Sequence, residues 1–259
     1  MTKFVALDRK IHMSRSWRRP RDFRFAANES LVAVAGTELA MTAASMPLVF
    51  VKREETFELV ALLSLEMGRN LFVAPDGQWA AGQYIPTLFR TYPFRLLRVK
   101  AAAQMVLCVD EDSVQNLEGS SEERFFDAGG QPTAILAEVI KTLEVFERGR
   151  LMTISAAKAL DKAGVIVPWK LGAGDGVQNP LIDGVHRVDE PRLNALGDNE
   201  FMQLRKSGGL PVAYAQLMSM ARLELLPRLA AYHSAQSAAP RNALAGMFGD
   251  GQDDTLRFG

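Results

Sequence analysis

Short apolar runs separated by turn-forming residues dominate the first half of the chain, from Leu31 to Val109. The runs cover residues 31–34, 47–51, 57–65, 71–73, 94–99 and 105–109. Apolar runs of this length between turn signals are typical of β-strands. Pro75-Asp76-Gly77 predicts a turn, because proline fixes φ and glycine tolerates a positive φ. We therefore predict a first half made mostly of short strands and hairpins.

Helical periodicity replaces this pattern from residue 132 onward. Apolar residues recur every three or four positions over Pro132–Arg148, and Gly149 is expected to end that helix. A second helix is predicted at Ser155–Ala163, with Gly164 as its C-terminal stop. Pro227 is expected to kink or interrupt the last helix. The remaining predicted elements are strands at 165–167 and 185–188 and helices at 190–196, 199–206 and 211–232.

These patterns predict an α+β fold in which a strand-rich N-terminal half packs with a helix-rich C-terminal half. Residues 1–24 carry eight basic and two acidic residues and show no sustained periodicity. We predict a basic N-terminal arm at 1–30, a single α+β domain at 31–233 and a flexible C-terminal tail at 234–259. The tail is rich in Ser, Ala, Gly and Asp, a composition that favours disorder. A glycine-rich loop is predicted at 171–180.

Composition narrows the class of protein. The 259 residues are 48% hydrophobic and 23% charged, as in an ordinary globular protein. Thirty basic residues balance thirty acidic ones, so no overall field attracts nucleic acid or anionic lipid. No apolar run reaches the roughly 18 residues that a membrane span requires, and no signal-peptide pattern follows Met1. The single Cys108, expected in a buried strand, permits no internal disulfide, and we predict a cytoplasmic protein.

The segment from Met67 to Phe94 has a different character, with Gly, Asn, Trp, Tyr, Pro and Arg at irregular spacings. Its distinctive pieces are Gly68-Arg69-Asn70-Leu71-Phe72, Gly77-x-Trp79, Tyr84-Ile85-Pro86 and Arg90-x-Tyr92-Pro93-Phe94. These pieces resemble the signature of the bacterial SapC family. Weaker similarity continues through 184–196 and 208–219, so the resemblance covers about residues 31–233.

The resemblance implies a setting but no reaction. The family takes its name from a protein linked to a bacterial surface layer, and no reaction is assigned to it. An accessory role in making, exporting or organising cell-surface components is what this resemblance implies for the chain.

Recognisable catalytic patterns are missing from the sequence. The three histidines, His12, His186 and His233, lack the spacing of a helical metal site, and no Cys-x-x-Cys occurs. The Gly-x-Ser-x-Gly elbow of hydrolases is missing too, and Ser219 falls within a helix, where its hydroxyl is expected to bond a carbonyl one turn earlier. The glycines at 172–176 do not form a nucleotide-binding loop. We predict no catalytic residue, metal or cofactor.

The signature segment offers the best binding site. Aromatic faces and one guanidinium suit an extended peptide or an acidic group, and each residue before a proline stays extended. The same residues would equally serve to close the core of a small sheet, so both roles stay open at this point. The candidate ligand- or partner-binding residues are Asn70, which would position the backbone, Trp79, Tyr84, Arg90, Tyr92 and Phe94.

Three hypotheses follow. The favoured one is a non-catalytic accessory protein that binds a peptide or protein partner, with nucleic acid disfavoured despite the basic arm. The alternative is a metal-independent enzyme or enzyme subunit with an unrecognised active site around this signature. The third is a self-assembling structural module that uses the helix at 211–232 or Met247-Phe248. The enzyme candidates would be Arg90, Tyr84, Asp110 and Glu66.

Overall fold

Residues 3–99, 104–116, 123–171 and 183–238 are described by a computed structural model, and within them the chain forms three antiparallel sheets. The strands are β1 (Phe4–Ala6), β2 (Arg15–Trp17), β3 (Leu31–Ala33), β4 (Leu48–Arg53), β5 (Thr56–Leu62), β6 (Phe94–Val99), β7 (Gln104–Asp110), β8 (Val114–Asn116), β9 (Glu123–Arg124), β10 (Ile166–Pro168) and β11 (Val185–Val188). The helices are α1 (Arg9–His12), α2 (Leu39–Ser45), α3 (Thr87–Arg90), α4 (Ala134–Lys162), α5 (Glu190–Asn194), α6 (Asp198–Ser207), α7 (Gly209–Ser219) and α8 (Leu225–Ala238). The predicted α+β class, strand-rich first and helix-rich second, is confirmed.

The largest sheet has the order β10-β11-β4-β5-β3 and supports a first core. Its central pairing places Phe50 opposite Leu59 in adjacent strands, and both side chains are fully buried. Helix α7 is tied to this sheet by two buried polar side chains. Gln216 accepts a hydrogen bond from the Val188 amide at 2.9 Å, and Ser219 accepts one from the Leu48 amide at 2.9 Å. The Ser219 hydroxyl also donates to the Gln216 carbonyl at 2.6 Å, as its place in a helix predicts.

Two three-stranded sheets, β1-β7-β6 and β8-β2-β9, belong with a second core. This core packs Trp17 edge-to-face on Phe94, with ring centroids 4.8 Å apart. Part of the segment predicted as an arm lies here, because β1 pairs with β7 and β2 pairs with β8 and β9. Trp17, at the end of β2, is 2% exposed. Residues 4–17 therefore supply strands and a core side chain to the body of the protein.

Helix α4 is longer than predicted. The prediction that Gly149 ends a first helix is wrong, since one helix runs unbroken through 29 residues. Gly149 is buried, and a Cβ atom there would lie 3.2 Å from Ala35 Cβ and 3.1 Å from Thr37 Cγ2. The glycine therefore serves close packing. The predicted stop at Gly164 is correct, and its φ of +69° is the left-handed conformation that glycine favours.

The last predicted helix is two helices. Helix α7 ends at Ser219, a tight turn covers Met220–Glu224, and α8 then begins. Pro227 falls in the first turn of α8, where a backbone N–H has no helical partner to lose. The interruption near Pro227 was predicted, whereas its location ahead of the proline was not. Helix α8 also extends beyond residue 233, where the predicted domain ends.

Two further predictions differ from the structure or lie beyond it. Residues 71–73 were predicted as a strand, but they form a turn with one isolated bridge between Val73 and Trp79. The predicted loop at 171–180 and the tail segment with Met247-Phe248 lie, apart from Leu171, outside the described residues. Among the described residues no helix has both the length and the apolar character needed to cross a membrane.

Candidate functional site

The signature segment is an irregular loop that leads into the short helix α3. Its predicted turn is present, with the Gly77 amide donating to the Ala74 carbonyl at 2.8 Å and a φ of +90° at Gly77. Residues near Asp22 pack over this turn, because a Cβ at Gly77 would lie 2.9 Å from Asp22 Cγ. The Phe23 amide also donates to the Gly77 carbonyl at 2.8 Å. The signature loop and residues 22–24 therefore pack directly against each other.

Asn70 and Phe94, two of the predicted binding residues, lie inside the protein. Asn70 is 2% exposed, and its amide nitrogen donates to the Ala26 carbonyl at 3.0 Å while its oxygen accepts from the Phe72 amide at 3.0 Å. Its side chain thus holds two backbone groups in place. Phe94 is fully buried in the second core, so its ring does not reach the surface.

Trp79 lies in the signature loop and packs against the first core. Its half-buried ring stacks on Phe72 at 5.6 Å and also meets Phe23 and Phe89. The indole N–H donates to the Tyr84 carbonyl at 3.1 Å. Because its faces are occupied by other rings, Trp79 supports the site more than it lines it.

A buried carboxylate organises the exposed end of this loop. Glu38, just before α2, is 4% exposed, and its Oε2 accepts hydrogen bonds from the Tyr84 hydroxyl at 2.9 Å, the Thr87 amide at 2.8 Å and the Thr87 hydroxyl at 2.7 Å. Arg90 then donates to the same two hydroxyls, at 2.9 Å to Tyr84 and 3.0 Å to Thr87. Its guanidinium lies 5.4 Å from the centre of the Tyr84 ring. The exposed arginine is therefore held in one orientation by a buried acid that it does not contact directly.

The two tyrosines of the site have raised pKa values. Burial, and then the nearby Glu38 carboxylate, raise the pKa of Tyr84. Burial, followed by the hydrogen bond to Asp110, raises the pKa of Tyr92 to about 12. Tyr92 also stacks on Phe25, with ring centroids 3.8 Å apart and planes 6° from parallel. Both phenols stay protonated at neutral pH and act as hydrogen-bond donors.

Three adjoining clefts lie side by side, two of them lined by Arg90, and we call them together the Arg90 groove. A cleft of 370 Å³ and one of 440 Å³ share Arg90, Glu138 and Thr142 in their walls. The 440 Å³ cleft in turn shares Tyr92 and the residues 19–22 with a third cleft of 400 Å³. One wall of the groove is therefore the segment 18–22 and the other is the first half of α4, with Arg90 and Tyr92 between them.

Several residues of this groove were not anticipated from sequence. Glu38 and Thr87 frame Arg90, and the opposing wall of α4 supplies Lys141 and Thr142. Arg19 and Arg21 belong to the predicted basic arm, and they line the groove only because β2 fixes the start of this segment. Of these residues, only Arg19 and Arg21 stand out in the sequence, because they belong to the unusual Arg-Arg-Pro-Arg run at 18–21.

The other residues considered for chemistry have structural partners. His233 lies within hydrogen-bond distance of the Leu71 carbonyl, at 3.0 Å, and His186 packs edge-to-face on Phe57. Cys108 is buried in β7, and burial raises the pKa of its thiol. Among the described residues, no three His, Cys, Asp or Glu side chains cluster as metal ligands would.

Comparison with known proteins identifies the family. Neither the curated proteins nor the solved structures give a match to this chain. The family model of SapC matches residues 7–226, which include β2, the signature loop, α4 and α7. A match over this much of the chain means that the protein belongs to the SapC family.

Proposed function

We propose that this chain is a non-catalytic accessory protein of the SapC type that binds a peptide or protein partner in the Arg90 groove. The observation that carries the proposal is the fixed, exposed guanidinium of Arg90 where two clefts meet. An arginine already held in its binding orientation loses little conformational entropy when a carboxylate arrives. The open shape of the groove suits a chain segment better than an enclosed small molecule.

The cellular setting is also part of the proposal. The family name connects SapC to a surface layer, and we propose a role in the production or export of cell-surface components. We place that role in the cytoplasm, because a single buried cysteine is typical of a reducing compartment.

The enzyme alternative draws less support from the geometry. Its four candidates would need to converge on one reacting group. Instead, the Asp110 carboxylate accepts a hydrogen bond from the Tyr92 hydroxyl, and the Glu66 carboxylate forms an ion pair with Arg69 at 3.2 Å. The raised pKa values of Tyr84 and Tyr92 remove both phenols as bases at neutral pH. A binding role needs no such convergence.

Affinity capture from a lysate of the producing cells tests the proposal. The bait is the full chain as wild type, as Arg90→Ala and as Arg205→Ala, an exposed arginine of α6 that serves as the matched control. We expect a partner that wild type and the control capture and Arg90→Ala loses, with all three baits folded by circular dichroism. A partner that Arg90→Ala retains would move the site away from this groove. Capture of nothing by any bait would contradict the binding function itself.

A further inference from the structure

We infer that the partner segment in the Arg90 groove is an extended peptide in which an acidic residue lies within two positions of an apolar one. This inference rests on the proposed function and specifies its ligand. It follows from the length of the groove, from the charges of its walls and from the surfaces of its aromatic rings.

The dimensions of the groove fit a short extended segment. The wall formed by α4 runs from Ile135 to Phe146, which corresponds to about 16 Å at about 1.5 Å per helical residue. An extended chain covers that distance with about five residues. The groove is open along its length, so a longer chain can pass through it.

Unpaired cations favour an acidic ligand. Within the part of the chain that the structure describes, Arg21, Arg90 and Lys141 form no ion pair, and Arg21 and Lys141 are exposed on opposite walls. Two of the acidic side chains that line the groove are already engaged. Asp22 pairs with Arg24, and Glu38 accepts three hydrogen bonds from its neighbours. The exposed Glu138 stands against the three unpaired cations Arg21, Arg90 and Lys141. The groove therefore presents a net positive surface with Arg90 at its middle.

Apolar side chains lie on both sides of this arginine. Ile135 and Val139 face the 440 Å³ cleft, and the exposed Val145 faces the 370 Å³ cleft. In an extended peptide, residues two apart project to the same side about 7 Å from one another. An acidic residue on Arg90 would therefore carry its near neighbours onto these apolar surfaces, and burying them adds the larger part of the binding energy.

The aromatic rings of the groove disfavour a single-stranded nucleic acid as the ligand. Single-stranded nucleic acid is the other class of chain that binds in grooves lined by arginine. Binding of that kind uses exposed aromatic faces on which bases stack. Here Phe25 covers one face of Tyr92, and the Arg90 guanidinium lies over the ring of Tyr84. Trp17 is 2% exposed.

Selection from a random decapeptide library displayed on phage tests the inference, with the full chain as target. We expect enriched peptides to carry Asp or Glu with Leu, Ile, Val or Phe within two positions. One enriched peptide, labelled with fluorescein, is then titrated by anisotropy beside its Asp→Asn or Glu→Gln counterpart. We expect binding at least tenfold weaker for the neutral peptide, and an affinity that falls as salt is raised.

Variants of the protein test whether the acidic peptide binds in the Arg90 groove. Arg90→Lys keeps the charge but loses the forked geometry, and Arg21→Glu reverses a charge on the opposite wall. Both variants should lower the affinity for the acidic peptide at least fivefold. The charge-reversing control Arg205→Glu should leave that affinity within twofold of wild type. Circular dichroism checks that each variant is folded.

The failures are distinguishable. Enriched peptides that lack an acidic residue would overturn the acidic ligand and leave the binding function standing. A library that yields no peptide would contradict peptide binding altogether. Displacement of the labelled peptide by a 20-nucleotide oligothymidine at lower concentration than by the unlabelled peptide would overturn the inference in favour of nucleic acid.

Discussion

At the scale of single residues, Glu38 decides how Arg90 is presented. Its carboxylate accepts from Tyr84 and Thr87, and both hydroxyls then have their oxygen lone pairs free to accept from Arg90. A buried acid thus orders an exposed base through two hydroxyl groups. Such a chain of hydrogen bonds is sensitive to any member that loses its role as acceptor or donor.

We predict that Glu38→Gln both destabilises the protein and weakens the groove. The amide group brings a donor into a site where donors already converge, and a buried donor without an acceptor costs about 1–3 kcal/mol. Urea unfolding should show a loss of this size, with the affinity for the selected acidic peptide falling in parallel. Glu55→Gln, at an exposed turn, is the control and should change neither quantity. Unchanged affinity in a destabilised Glu38→Gln would separate the carboxylate from the presentation of Arg90.

Tyr92 gives a prediction about pH. Its pKa is about 12 in the folded protein and near its ordinary value of about 10 in the unfolded chain. The protonated phenol therefore favours the folded state, with the full contribution below pH 10 and its loss as pH rises from 10 towards 12. Urea unfolding between pH 9 and 11 should show a steeper loss of stability for wild type than for Tyr92→Phe.

The control for this pH dependence is Tyr232→Phe, which removes a half-exposed phenol from α8. It should follow the wild-type curve. Equal pH dependence in wild type and Tyr92→Phe would mean that Tyr92 ionises as an ordinary exposed tyrosine, and that the hydrogen bond to Asp110 does not hold its proton.

The sequence predicted some of this site and missed the rest for physical reasons. Tyr84 and Arg90 stand out because an aromatic and a cation recur in an irregular segment where neither helix nor strand requires them. Glu38 lies 46 residues before Tyr84 and looks like any acidic residue at a helix start. Its burial depends on how α2 meets the signature loop, which no local pattern encodes. Phe94 carried the same aromatic signal as Tyr84, yet the pairing of β6 with β7 places it in the core.

At the scale of elements, α4 shows why a glycine was misinterpreted. Glycine lowers helix propensity and often follows the last helical residue, so Gly149 looked like an end. In the structure it stands where α4 passes close to Ala35 and Thr37. Contacts between segments that far apart in sequence are invisible to a periodicity argument. The strands 31–34, 47–51 and 57–65 were found correctly because their apolar runs are bounded by local turn signals.

We predict that Gly149→Ala lowers the free energy of unfolding by about 1 kcal/mol, although alanine is the better helix former. Helix propensity favours alanine by about 1 kcal/mol, but overpacking costs about 1–3 kcal/mol. Ala35 is fully buried and its Cβ is fixed to the backbone, so it has little room to yield. Ser155→Ala, on the exposed side of α4, isolates the propensity effect and should stabilise by a few tenths of a kcal/mol. A Gly149→Ala variant more stable than wild type would show that the helix has space at this position.

At the scale of the whole molecule, the groove lies where two cores meet. The first half of α4 packs Leu136 and Leu143 into the second core, and its second half packs Ala156 and Leu160 into the first. Leu88, in α3 beside Arg90, touches both cores. The α4 wall of the groove therefore depends on the second core, and its floor at α3 depends on both cores.

Because α4 is shared, we predict that the two cores unfold as one cooperative unit. Strand β5 reports on the first core and β7 on the second, and hydrogen exchange followed by mass spectrometry measures the protection of each. In wild type, both strands should reach the same free energy of opening as urea is raised towards the unfolding transition. Leu136→Ala removes a fully buried side chain from the second core and should cost about 2–5 kcal/mol. That loss should appear in β5 as well as in β7, whereas Leu151→Ala, on an exposed part of the same helix, should change neither strand by more than a few tenths of a kcal/mol. If β7 alone lost protection in Leu136→Ala, the cores would be separate folding units. A partner bound in the groove would then link their stabilities, since the groove is lined by Ile135 and Val139 from the second core and by Phe89 from the first.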